Sequence, residues 1–182
     1  MRENYAMPHE KYTRIDRERR FLLAEFPKDA KVIRHRRIAD RYIEGTTLRL
    51  RESTYDDGLT TFKLTQKLPM RAGGAQQGFI TSMYVTQDEF SVLAQLPART
   101  LTKTRYSVPP FGIDVFDGPL EGLILAEVEF DSADAAEAFA MPSFAMAEVT
   151  TDERFTGGQL ARATREDIKS WVSEYGVLDS IS

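Results

Sequence analysis

Cysteine is absent from the 182 residues, which excludes disulfides and thiolate-held metal centres together. Histidine is nearly absent: His9 and His35 are the two in the chain, too few for an imidazole site, so any metal ion must be held by carboxylates. No apolar run approaches the length of a membrane span. Residues 1 to 12 carry charges and a proline where a secretory signal needs an apolar core, so a cytoplasmic protein without a membrane partner is expected. A charge field of one sign is also missing. The 24 Lys and Arg against 28 Asp and Glu leave a net charge of −4, which argues against nucleic acid as a partner and confines any anion site to a local cluster.

What is present is 42% hydrophobic and 29% charged, the balance of one globular unit with a core. The expected organisation is a flexible tail over 1–12 and a single domain over 13–182. Alternation of apolar and polar residues predicts eight strands, at 13–25, 32–43, 47–53, 60–67, 77–85, 101–108, 112–117 and 122–130. Asp57-Gly58, Gly73-Gly74 and Pro109-Pro110 punctuate them as turns. Three helices are expected. Thr86 to Glu89 is a capping box that opens one over 87–96, Ser132 opens a second that runs to Ala140, and Thr164 opens a third closed by Gly176. The class is α+β, with strands in the middle of the chain.

The charges share faces. Side chains alternate along a strand, so Arg14, Asp16, Glu18 and Arg20 lie on one side of the first strand, opposite Ile15 and Phe21. Later strands repeat the pattern. Arg49 pairs with Arg51, Lys63 with Lys67, Lys103 with Arg105, and Glu127 with Glu129, whose opposite face is Ile124, Ala126, Val128 and Phe130. A single such strand is ordinary solvated sheet, but like charges two residues apart repel, and a surface built for solubility mixes signs. Segregation by strand suits a polyanion with its metal: cations on phosphates, carboxylates on the ion. The candidates are the cations Arg20, Arg49, Arg51, Lys63, Lys67, Lys103 and Arg105 and the acids Asp16, Glu18, Asp114, Glu127 and Glu129. If the sheet curls into a barrel, these groups face inward.

The same residues resemble the CYTH family of triphosphate tunnel metalloenzymes. Its opening motif of alternating acids, a lysine and Phe-Leu is matched by Asp16-Arg17-Glu18-Arg19-Arg20-Phe21-Leu22. Leu48-Arg49-Leu50-Arg51, Leu64-Thr65-Gln66-Lys67, Lys103-Thr104-Arg105-Tyr106, Asp114 to Gly118, Gly122 to Phe130 and Glu148-Val149-Thr150 follow in the family's order, over about residues 13 to 163. The resemblance implies an eight-stranded antiparallel barrel with a few flanking helices whose lumen binds a linear triphosphate. It implies Mg²⁺ or Mn²⁺ on Glu18, Glu127 and Glu129, with Asp16 and Asp114 in support. Arg49, Arg51, Lys67, Lys103 and Arg105 would bind phosphate, joined by Arg20 and, from its parity, Lys63, with Glu18 and Arg20 catalytic.

Two positions depart from the pattern. Arg20 replaces the family's lysine and cannot serve as a neutral amine. Gln76 to Ile80 stand where the fifth strand usually carries an Arg and a Glu. Inorganic triphosphate hydrolysis is the leading expectation. Adenylate cyclase or nucleoside or thiamine triphosphate activity, and a non-catalytic polyphosphate- or nucleotide-binding module, stay open, as does a homodimer. The run Arg34-His35-Arg36-Arg37 reads as a solvated edge or outer face, Trp171 and Tyr175 as packing, and Gly157-Gly158 as a turn.

Overall fold

The computed structural model describes residues 12–69 and 77–176; the Gly73-Gly74 turn, Gln76 and residues 1–11 of the expected tail lie outside them. All eight expected strands form. They are β1 (Arg14–Leu23), β2 (Arg34–Ile43), β3 (Leu48–Tyr55), β4 (Thr60–Pro69), β5 (Gln77–Val85), β6 (Ala98–Val108), β7 (Phe111–Phe116) and β8 (Ile124–Glu129). Every pairing is antiparallel, in the order β5-β4-β3-β2-β6-β7-β8-β1, and β1 returns to pair with β5, so the sheet closes into a barrel. Closure uses only the first part of β1, Arg14 opposite Ile80 to Arg17 opposite Gln77. Where β1 and β5 part, a two-residue strand, β9 (Ala147–Glu148), takes up the freed edge of β1.

The helices are α1 (Gln87–Leu93), α2 (Ala133–Ala138), α3 (Gly157–Leu160) and α4 (Arg165–Ser173). Thr86 and Glu89 close the expected capping box, and Thr164 with Asp167 makes a second. Helix α1 stops at Leu93, short of the expected 96, and α2 at Ala138, short of Ala140. Gly157-Gly158 opens a helix instead of a turn, and a side chain is excluded at Gly157 because a Cβ there would lie 2.0 Å from the Tyr42 hydroxyl. Gly176, with φ +82°, follows the end of α4 as expected. No helix among the described residues is long and apolar enough to cross a membrane.

Register sorts the side chains into two layers. Phe21, Leu23, Ile113, Ala126 and Val128 point outward and are covered by Phe111, Phe139 and Phe144. Leu22, Leu101, Phe116 and Leu125 share the inner parity with the charged residues, and they meet Phe155, Leu160, Ile168 and Val172 in a second core. Burying each such side chain contributes about 1.5–3 kcal/mol. Trp171 and Tyr175 pack on this core against Phe155, as expected. One end of the barrel is therefore floored by apolar side chains and C-terminal helices.

Candidate active site

Above that floor the inner wall is ionic. The ladder places Asp16, Glu18 and Arg20 of β1 beside Glu127 and Glu129 of β8, with Glu18 opposite Glu129 and Arg20 opposite Glu127. On β2 to β4, Arg51 stands opposite Asp40 on one side and Lys63 on the other. On β6 and β7, Arg105 stands opposite Asp114. Acids thus dominate the β1–β8 wall and cations the β2–β4 wall.

Each buried carboxylate is tied to cations. Asp114 is wholly buried; Lys103 Nζ reaches its Oδ2 at 2.5 Å, and Arg105 donates from Nε to Oδ1 and from Nη2 to Oδ2, both at 2.6 Å. Arg105 also donates to Glu127. These contacts fix the two cations in the lumen, so Asp114 orients them. Lys67 Nζ spans Asp16 Oδ2 at 2.7 Å and Glu18 Oε1 at 3.2 Å. Burial would lower the Lys67 ammonium, but Glu18 and Asp16 hold it above its ordinary value.

Glu18 and Glu127 are the acids that feel each other. Burial and then the Glu127 charge raise the Glu18 carboxyl, against the pull of Lys67 and Arg20. Burial pushes Glu127 the same way, but Arg105, Lys103 and Arg20 outweigh it and hold it well below the carboxylate range. Two acids competing for charge in one lumen, offering hard oxygen donors, suit a divalent cation. Among the described residues no group of three such ligands is assembled. Glu129, expected to join them, is exposed at the open rim, beside a pocket of about 240 Å³ that Arg14, Asp16 and Asp131 also line. A pair of carboxylates completed by water and phosphate oxygens is the usual setting for Mg²⁺.

Arg20 lies lower than expected. It is 2% exposed, its Nη1 donates to the Phe155 carbonyl at 2.8 Å and its Nη2 to the Thr150 carbonyl at 3.4 Å, while Nε stands 3.5 Å from Glu18 Oε1. Its guanidinium joins the floor to the acid wall. On β5 the inner positions near the absent Arg and Glu are Gly78, Ile80, Ser82 and Tyr84.

Three inner residues escaped the sequence reading. Asp40 is 1% exposed and takes a bidentate grip from Arg51, Nε to Oδ1 at 2.6 Å and Nη2 to Oδ2 at 2.7 Å, with Arg49 Nε 3.6 Å away. Burial would raise this carboxyl, yet Arg51 and Arg49 hold it far below its ordinary value. Tyr42, opposite Arg49, rests on the floor at Gly157. Arg36, placed by sequence on a solvated face, points inward opposite Arg105 and Tyr55. His35 does lie outside, against Tyr106 and Asp56, whereas Arg34 shares the parity of Arg36, covers the same Tyr55 ring and pairs with Asp57 at the exposed end of the strand. Parity was the available signal: Arg36, Ile38, Asp40 and Tyr42 alternate, but no shared sign marks them as a set.

A scan against protein-family models finds no match. The chain is 35% identical over 153 residues to the inorganic triphosphatase of Nitrosomonas europaea, a match spanning 79% of this chain and 95% of the relative. Among solved structures, the inorganic triphosphatase NE1496 superposes with a TM-score of 0.54 at 30% identity, covering 81% of this chain and 95% of that one. A structure described as the hypothetical protein NE1496 gives 0.55 at 32% identity, over 82% and 99%. With identity of that order across nearly the whole relative, and the same barrel, the chain belongs to the inorganic triphosphatase family.

Proposed function

We propose that this chain is a CYTH-type triphosphate tunnel hydrolase, one domain over 13–182, that cleaves inorganic triphosphate in its lumen with Mg²⁺ or Mn²⁺. The observation that carries the reading is the opposition of an acid wall and a cation wall inside a closed barrel floored at one end. A linear polyanion held there touches phosphate-binding groups on one side and metal-ligand acids on the other.

Glu18 and Glu127 would hold the divalent ion, with Asp16 and Glu129 nearer the rim. The ion would supply charge neutralisation at phosphate oxygens and a more acidic water. Arg49, Arg51, Lys103 and Arg105, already aimed by Asp40 and Asp114, bind the triphosphate, and Lys67 contributes from β4. Because these donors are preorganised, charge moving to the leaving oxygen meets fixed partners instead of reorienting water. Arg20 acts through Glu18, steadying it from beneath. The buried floor keeps bulk water from that side.

The cytoplasm as compartment and the absence of a nucleic-acid partner rest on the composition alone; the family name and the lumen chemistry support a small triphosphate substrate. Steady-state phosphate release from tripolyphosphate, ATP and thiamine triphosphate tests it: tripolyphosphate should be cleaved fastest. A binding module would show affinity without turnover, and a cyclase would convert ATP to cyclic AMP and pyrophosphate with no orthophosphate.

A further inference from the structure

The lumen's cations differ in what neutralises them. Arg49, Arg51, Lys103 and Arg105 each make an ion pair with Asp40 or Asp114, and Lys67 pairs with Asp16 and Glu18. Arg14, Arg36 and Lys63 make no ion pair with any carboxylate of the described residues, although all three have inner parity, Arg36 and Lys63 half-buried on β2 and β4 and Arg14 exposed at the mouth on β1. Arg36 donates from Nη1 to the Tyr55 hydroxyl at 3.2 Å, and its Nε is buried with no acceptor. A buried donor left unmatched is unfavourable until an acceptor arrives. Lys63 Nζ has the Tyr84 ring 5.9 Å away and no oxygen partner. Burial and the charges of Arg51, Arg49, Arg36 and Arg14 together push its ammonium down to about 8. The fold gains nothing from this repulsion, and an anion relieves it.

Position decides which anion. Tyr42 marks the floor end of β2 by its contact at Gly157, and Arg36 lies four residues from Asp40 in the opposite direction, the next inner residue after the buried Ile38. Lys63 stands directly across the β3–β4 pair from Arg51, a separation of about 4.5–5.5 Å between Cβ atoms. Since the floor is closed, a chain longer than the clamp extends toward the open rim, where the uncompensated cations are.

We infer that Arg14, Arg36 and Lys63 form an additional subsite, starting at Lys63 on the rim edge of the clamp, that takes a fourth phosphoryl group of a linear polyphosphate. The inference rests on the proposed function for the position of the first three phosphoryl groups. Its test is made by binding alone, so that an absence of turnover does not decide it.

Calorimetric titration with tripolyphosphate, tetrapolyphosphate and orthophosphate, under chelator, compares the parent with Arg36→Gln and with Arg14→Gln/Arg36→Gln. The parent should bind tetrapolyphosphate about tenfold more tightly than tripolyphosphate, the scale of one added charge-assisted contact. The double variant should lose that advantage while its tripolyphosphate affinity stays within about threefold of the parent's. Three results overturn the inference: no tetrapolyphosphate advantage in the parent, an equal loss for both ligands in the variants, or saturable orthophosphate binding that depends on Arg36 while tetrapolyphosphate gains nothing. Phosphate release assayed separately reports on hydrolysis, so failure of the proposed function and failure of the subsite are distinguishable.

Discussion

Asp40→Asn removes one buried charge and little volume. In the parent the carboxylate is 1% exposed and neutralises Arg51, itself 7% exposed, through two short bonds, with Arg49 behind it. Breaking a buried pair by removing one partner costs about 3–5 kcal/mol. Asparagine keeps one acceptor for Arg51, so about 3 kcal/mol is expected here. For a chain of this size that lowers Tm by about 6–12 °C. The sign with pH follows from the depressed carboxyl. The parent holds this stability above the ordinary value of 3.8 and loses it as pH falls further, so the gap between parent and variant narrows in acid. Tripolyphosphate supplies the missing negative charge and should raise Tm more in the variant than in the parent. In kinetics, loosened arginines still attract phosphate, so kcat should fall about 10- to 100-fold with KM unchanged or lower. Differential scanning fluorimetry with and without tripolyphosphate, joined to steady-state kinetics, reads all of this. An unchanged Tm, or a raised KM at constant kcat, would refute the view that Asp40 aims Arg49 and Arg51.

Glu127→Gln and Glu18→Gln should each abolish metal-dependent turnover while the far-UV spectrum stays native, since at Glu18 the change relieves repulsion from Glu127 and at Glu127 the amide keeps an acceptor for Arg105, which Asp114 still neutralises; full activity at limiting metal would remove them from the metal site. Arg20→Lys should hold activity within about tenfold, roughly 1.4 kcal/mol of barrier, whereas Arg20→Ala empties a contact between floor and acid wall and should leave the enzyme nearly dead, an outcome checked by kcat against tripolyphosphate. Lys63, with its ammonium near 8, predicts that metal-free polyphosphate affinity declines as pH rises through 8, and that the native state gains stability between about 8 and 10.5 as the unfolded chain alone stays protonated; titrations at pH 7 and pH 9 of equal affinity would contradict it.

Alternation made the barrel legible. Eight strands, the parity of Arg49 and Arg51, Lys103 and Arg105, and Glu127, and the outward set of Ile124, Ala126, Val128 and Phe130 all follow from a period of two. Closure of β1 on β5 does not, because Gln77 to Ile80 carry no charge that would mark a partner for Asp16. The floor was hidden for a similar reason. Leu22, Leu101 and Leu125 share the charged parity, and only the packing of α4 and Phe155 onto them shows where polar lumen gives way to core. Asp40 sits between Ala39 and Arg41 in a strand of mixed signs, so its burial between two arginines of the next strand is a tertiary fact. Parity alone turns Arg20 inward, but its depth depends on carbonyls at 150 and 155 far along the chain. Glu129 has the right parity yet ends its strand at the rim.

The central claim is hydrolysis of inorganic triphosphate by a metal-assisted lumen. Phosphate release from tripolyphosphate, measured on the purified full chain with Mg²⁺, with Mn²⁺ and with excess chelator, tests it most directly. The account predicts turnover with either ion, loss of turnover in chelator that re-added ion restores, and one orthophosphate and one pyrophosphate per cleavage. Tight binding of tripolyphosphate with no phosphate released under any of the three conditions would contradict it.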